Sequence, residues 1–187
     1  MFIRYGIAAL AAGGLFAPLA AAQVFVIGGG LGSECYDQTQ SSFVSYTKAE
    51  QTCTRALREE TMNRSNRAAT HVNRGVLRMR NGDYERALED YASAQNIKPE
   101  LGAAYLNEGA AYIYIREFDS ALATLDKAIE LNSEDLFAAY YNRAIAREHT
   151  DDVTGAYFDF KKALELKPGW ELAESQLRRF SVRDSES

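Results

Sequence analysis

The stretch NRGVLRMRNGDYERALEDYASAQNIKP, residues 73–99, is followed by two near copies of itself. They are NEGAAYIYIREFDSALATLDKAIELNS, starting at Asn107, and NRAIAREHTDDVTGAYFDFKKALELKP, starting at Asn142. A shift of 34 carries His71, Asn73, Gly75, Tyr84, Ala87, Tyr91 and Ala94 onto Tyr105, Asn107, Gly109, Phe118, Ala121, Leu125 and Ala128. A shift of 35 carries those onto Tyr140, Asn142, Ala144, Val153, Ala156, Phe160 and Ala163. A fixed period of this length belongs to stacked supersecondary units. Each unit is too small to bury its own apolar stripe, so neighbours must cover it.

The spacing within a unit identifies its parts. Gly75, Ala87, Tyr91 and Ala94 combine small residues with one large ring at helical intervals. Small residues let two helices approach, and the ring fills the gap beside them. NGDY provides the turn: Gly82 tolerates a left-handed backbone and Asp83 can cap the second helix. Pro99 and Pro168 end the second helices of their units. Each unit therefore reads as a helix–turn–helix hairpin.

This pattern resembles the tetratricopeptide repeat family. The family's signature places hold His71, Gly75, Tyr84, Ala87, Tyr91, Ala94 and Pro99 in the first unit. They hold Tyr105, Gly109, Phe118, Ala121, Leu125, Ala128 and Ser133 in the second, and Tyr140, Ala144, Val153, Ala156, Phe160, Ala163 and Pro168 in the third. Ser133 stands for a proline, Ala144 for a glycine and His71 for a large aromatic. The resemblance implies an all-α solenoid of three stacked hairpins, at 68–101, 102–136 and 137–170. Upstream, residues 34–62 keep Ala49, Cys53 and Ala56 at the same spacing and read as a degenerate hairpin. Downstream, Trp170, Ala173, Leu177 and Phe180 share a helical face, so 171–180 is expected to cap the stack. Residues 181–187 read as a polar tail.

The N-terminus has a different character. One cation, Arg4, precedes an apolar run that ends in Ala20, Ala21 and Ala22. That is the layout of a secretory signal peptide cut after Ala22. The alternative, an uncleaved anchor, is disfavoured by the Ala and Gly content and by Pro18. The expected product is periplasmic or secreted, with residues 23–33 extended and no stable membrane insertion after removal of the leader. It keeps 20 basic and 26 acidic residues, which argues against a nucleic-acid binder. In an oxidising compartment Cys35 and Cys53 are expected to form one disulfide rather than remain as free thiols.

The chain also varies from unit to unit in an informative way. Arg74, Glu108 and Arg143 share one place on the first helices, and Asp90, Thr124 and Asp159 share one on the second. Aspartate occurs only opposite arginine. This predicts the structural pairs Arg74–Asp90 and Arg143–Asp159, with Glu108 between the two arginines. Asn73, Asn107 and Asn142 also share a place. In some family members such an asparagine binds a partner's terminal carboxylate, helped by basic residues that here are Ala69, Ala138 and Asn142. Without those, the preferred reading is that the asparagines bond the backbone of adjacent helices, with ligand contact as the other reading.

By the resemblance, a concave groove is lined by Val72, Val76, Met79 and Arg80, by Leu106, Ala110, Ile113 and Tyr114, and by Tyr141, Ile145, Glu148 and His149. Most of these are apolar and should not stay uncovered in water. Either a protein or peptide partner covers them, or the chain's own VFVIGG, residues 24–29, does so. Self-coverage is slightly preferred.

No catalytic constellation stands out. His71 falls at a core place, and His149 ends a helix beside Asp151 and Asp152, a weak metal site at best. GGGLGS, residues 28–33, lacks the spacing of a phosphate loop and reads as a flexible joint. The expected function is therefore a non-enzymatic protein–protein interaction module, a scaffold or adaptor without metal or cofactor. The alternative is a structural subunit of a cell-envelope complex that uses its convex face, and an enzyme is the less favoured third. Composition does not determine the oligomeric state.

Overall fold

The computed structural model describes residues 2–5 and 19–183. Most of the expected leader and residues 184–187 of the expected polar tail lie outside the described residues. Among the described residues nine helices follow one another: α1 Leu31–Gln40, α2 Tyr46–Glu59, α3 Arg64–Arg80, α4 Tyr84–Ile97, α5 Gly102–Tyr114, α6 Phe118–Glu130, α7 Leu136–His149, α8 Val153–Leu166 and α9 Glu171–Leu177. They pair as hairpins α1/α2, α3/α4, α5/α6 and α7/α8, and each hairpin packs on the next. α9 packs on α8. The fold is an all-α solenoid.

The turns repeat along with the helices. Gly82, Arg116 and Asp151 occupy the same place in successive units, and all three are left-handed, with φ of 80°, 67° and 63°. Glycine takes this conformation without strain, while Arg116 and Asp151 adopt it at some cost. The side chains of Asp83 and Asp152 then accept the amides of Arg86 and Gly155 and cap α4 and α8. Where the middle unit has no proline, Asn132 stops α6 with φ 51°.

The core follows the small-and-large pattern. Ala87, Tyr91 and Ala94 are fully buried, as are Ala121, Leu125 and Ala128, and Ala156, Phe160 and Ala163. A methyl group on Gly75 would collide with the ring of Tyr91, and one on Gly109 would lie 2.5 Å from Leu125 Cγ. The first two units therefore leave no room for a side chain where Tyr91 and Leu125 cross the first helix.

Two segments differ from the sequence-based expectation. α1 starts at Leu31, inside the supposed joint, because the Glu60 carboxylate accepts the Gly32 amide at 2.8 Å and anchors the helix start. α9 ends at Leu177, and Phe180–Arg183 forms a strand, β2, instead of helix or tail. It pairs antiparallel with a strand at Phe2–Tyr5, β1, in the register Phe2 to Arg183. Cys35 and Cys53 form a disulfide between α1 and α2, with both residues fully buried.

Candidate binding groove

The first helices of the units, α3, α5 and α7, line one concave side. Asn73, Asn107 and Asn142 lie on them, one per unit and all fully buried. Each side-chain amide is used on both edges, and each partner is a main-chain group of the chain's own N-terminal segment. Asn142 Oδ1 accepts the amide of Ala20 at 3.1 Å, while its Nδ2 donates to the Ala20 carbonyl at 2.8 Å. Asn107 does the same to Ala22, at 3.0 and 2.7 Å. Asn73 does the same to Val24, at 2.9 and 2.7 Å. A fourth, Asn66, holds Ile27 at 3.2 and 2.7 Å.

The spacing has a simple origin. Alternate residues of an extended chain point their main-chain groups the same way, and the stack presents one asparagine per unit. Residues 20, 22 and 24 therefore meet α7, α5 and α3 in turn, and the segment runs from the third unit toward the first. This corrects the expected use of the asparagines: they bond an extended strap laid across the helices, and no bond between adjacent helices was needed to satisfy them.

The strap also covers the apolar lining. Ala22 is packed in one core cluster with Leu106, Ile113, Tyr141 and Ile145. Ala21 and Val24 lie against a cluster containing Val72, Val76, Met79 and Ala110. Leu19 touches both clusters. Ala22 and Val26 are buried, while Phe25 and Ile27 remain exposed. Among the described residues the coverage thus includes Leu19–Ala22, upstream of the expected VFVIGG, and four of those six residues, Phe25, Ile27, Gly28 and Gly29, are exposed.

The polar lining is engaged elsewhere. Arg80 donates to the Thr39 carbonyl at 2.7 Å, which ties α3 to α1. Glu148 pairs with Arg179 at 3.0 Å. His149 stacks on Phe118 with ring centroids 4.3 Å apart, as Tyr114 stacks on Tyr84 at 5.2 Å. These stacks are one unit apart and tie each first helix to the preceding hairpin. Asp152, beside His149, is occupied as a helix cap and lies 3.4 Å from Arg147. Among the described residues no three His, Cys, Asp or Glu side chains gather as a metal site would require. None of the described helices is long and apolar enough to cross a membrane.

On the side away from the strap, Arg74 holds Asp90 through Nη2 at 2.7 Å and Nε at 2.9 Å. Arg143 holds Asp159 at 2.7 and 2.8 Å. Each aspartate has a second arginine one turn along: Arg78 at 2.8 Å and Arg147 at 3.0 Å. His71 adds a contact of 2.9 Å to Asp90, so it is a polar partner there rather than simple packing. Glu108 does not bridge the arginines. It accepts from Gln95 at 2.7 Å, and burial pushes its carboxyl above the usual range. The common place instead ties each unit to the one before: Arg74 to Thr54 at 3.1 Å, Glu108 to Gln95, and Arg143 to Asp126 at 2.6 Å.

The tetratricopeptide repeat family model matches residues 68–101 and 102–135. Residues 68–135 are tetratricopeptide repeats. The third hairpin, α7/α8, continues their stack. Among known proteins, mouse sperm-associated antigen 1 is 32% identical over 96 residues, which cover 51% of this chain and 10% of that protein. RNA polymerase II-associated protein 3 of Xenopus laevis is 28% identical over 115 residues, 62% of this chain and 17% of that protein. The chain thus matches less than a fifth of the length of either relative. A solved structure, the first repeat domain of Spaghetti (RPAP3) bound to the HSP90 peptide SRMEEVD, is 26% identical, with a TM-score of 0.57 over 60% of this chain and 88% of that one. MamA, from another solved structure, shares the fold over 82% of this chain at 19% identity and a TM-score of 0.62.

Proposed function

We propose that this protein is an exported interaction module whose concave groove takes an extended segment of a protein or peptide partner, with no bond made or broken. One observation carries the reading. Asn73, Asn107 and Asn142 each engage both the amide and the carbonyl of one residue in an extended chain. A neutral side-chain amide is satisfied fully only by a partner that offers a donor and an acceptor side by side, as extended main chain does. Such recognition tolerates varied side chains. The peptide seated on the Spaghetti repeat domain supports the same use of the fold.

The leader-like residues upstream of Gln23 support export, and so does the buried Cys35–Cys53 disulfide, a bond favoured in oxidising compartments. In the exported chain part of the strap is gone and a partner can enter. A photocrosslinking amino acid at Tyr114 tests the proposal in the native compartment. A discrete crosslinked partner is expected. Adducts to the protein's own residues alone would refute external recognition.

A further inference from the structure

The expected cut falls inside the strap. The Ala22–Gln23 bond lies between two asparagine seats, with Ala22 on Asn107 and Val24 on Asn73. Cutting there removes the residues that occupy Asn107 and Asn142, but leaves those on Asn73 and Asn66. The groove of the processed chain is then half filled. Its open half keeps two main-chain seats and the apolar lining of Leu106, Ile113, Tyr141 and Ile145.

What fits that half is set by what fills it now. Residues 20 and 22 are alanines, and Ala22 is 3% exposed, packed against this lining. The seat therefore accepts small side chains on an extended backbone running toward the first unit. It is also a dead end. A ligand with that polarity cannot continue past the place of Ala22 while Val24 and Ile27 stay seated. It must finish there with its own terminal carboxylate. The same cut creates a free α-ammonium on Gln23, next to that end.

We infer that the processed protein binds the C-terminal tail of a partner, ending in small apolar residues, with its main chain on Asn142 and Asn107 and its carboxylate paired with the Gln23 α-ammonium. This rests on the export reading above, and it supplies the positive charge that Ala69 and Ala138 do not. An α-ammonium titrates at about 7.7–8.0, so the affinity falls as the pH rises through that range.

The test uses the exported product, whose mass first reports whether the chain begins at Gln23. The probe is the synthetic peptide APLAAA, as free acid and as C-terminal amide, measured by calorimetry. The free acid is expected to bind the processed chain, and the amide about tenfold more weakly, as loss of a charge-assisted contact implies. Asn142→Ala and Asn107→Ala should each weaken the free acid, and the uncut chain should not bind it. Gln23→Ala keeps the amine, cannot cyclise as an N-terminal glutamine can, and should bind as the parent does. Should Asn107→Ala fail to fold, Asn142→Ala carries the same reading. Equal affinity for acid and amide overturns the inference, as does equal binding by the uncut chain. Failure of a folded, Gln23-initiated chain to bind also overturns it, and leaves the broader proposal to the crosslinking experiment. A product that retains residues 1–22 overturns this inference and the export reading together.

Discussion

Arg74 and Asp90 meet through two guanidinium nitrogens, and sixteen-residue spacing repeats the arrangement in Arg143 and Asp159. Asp90 is 1% exposed and also contacts Arg78 and His71. Its removal would leave Arg74 without a carboxylate and buried Arg78 with Glu50 alone. Loss of one partner from a buried ion pair costs about 3–5 kcal/mol. Asp90→Ala should therefore lower the urea midpoint markedly, and an unchanged midpoint would mean that the network adds register without stability.

The same aspartate predicts an acid limb. Burial pushes its carboxyl up, but His71 and Arg74, with Arg78, outweigh that and hold it below the ordinary value of 3.8. A carboxyl with a lower value in the folded state stabilises the fold above the unfolded value and loses that contribution as the pH falls through the folded one. Chemical melts should thus weaken progressively as the pH drops below about 4. In Asp90→Asn this part of the slope should be missing. A variant with the parent's full acid slope would assign the loss to other groups.

These pairs were legible because the chain repeats itself: comparing units exposed Arg74 with Asp90 and Arg143 with Asp159. The second arginines, Arg78 and Arg147, carry the same signal at the same two-unit offset, one helical turn beyond the first pair. Glu108 was misplaced because charge suggested arginine, while its nearest polar neighbour proved to be the neutral Gln95. The strap was partly hidden for another reason. It has no period of its own, and its alanines read as leader, so Leu19–Ala22 were set apart from the fold. The asparagines recur visibly, but their partner is a backbone, which carries no sequence signature. Nor do the four-residue strands β1 and β2 show a pattern long enough to read.

Close packing of the hairpins predicts intolerance at Gly75. The added methyl of Gly75→Ala meets the buried Tyr91 ring, which fills the space between α3 and α4. Overpacking of this kind costs about 1–3 kcal/mol. The third unit carries Ala144 at the equivalent place, opposite Phe160, with both fully buried. Thermal melts should show Gly75→Ala less stable than the parent. Parity would mean that the ring moves freely aside.

The disulfide predicts a local effect. Cys35–Cys53 closes a loop across the α1/α2 hairpin, with a sequence separation of 18. A loop of that length contributes about 3 kcal/mol by restricting the unfolded chain. Replacing both cysteines by alanine should speed amide exchange in α1 and α2 first, with α5–α8 little changed. Uniform acceleration across all hairpins would instead make the first hairpin the nucleus of the whole stack.

Asn107 sits at the centre of the strap, and its loss separates two roles of that segment. The side chain is fully buried and bonded on both edges to Ala22. In the uncut chain, Asn107→Ala leaves the Ala22 amide and carbonyl without partners in a nearly dry setting, at a cost of about 1–3 kcal/mol for a buried group. Because neighbouring seats on Asn73 and Asn142 remain, the expected result is local: faster amide exchange at Ala22 with the helices intact. Deleting Leu19–Ile27 goes further, since Val72, Val76, Leu106, Ile113 and Tyr141 lose their cover. A contiguous apolar surface of that kind binds hydrophobic dyes, so dye fluorescence should rise while helical circular dichroism stays constant. If the asparagine variant brightens the dye as much as the deletion does, the strap is held by its polar seats. If only the deletion does, apolar contact suffices to keep it in place. Unchanged fluorescence in a folded deletion variant would mean that the groove closes on itself without the strap.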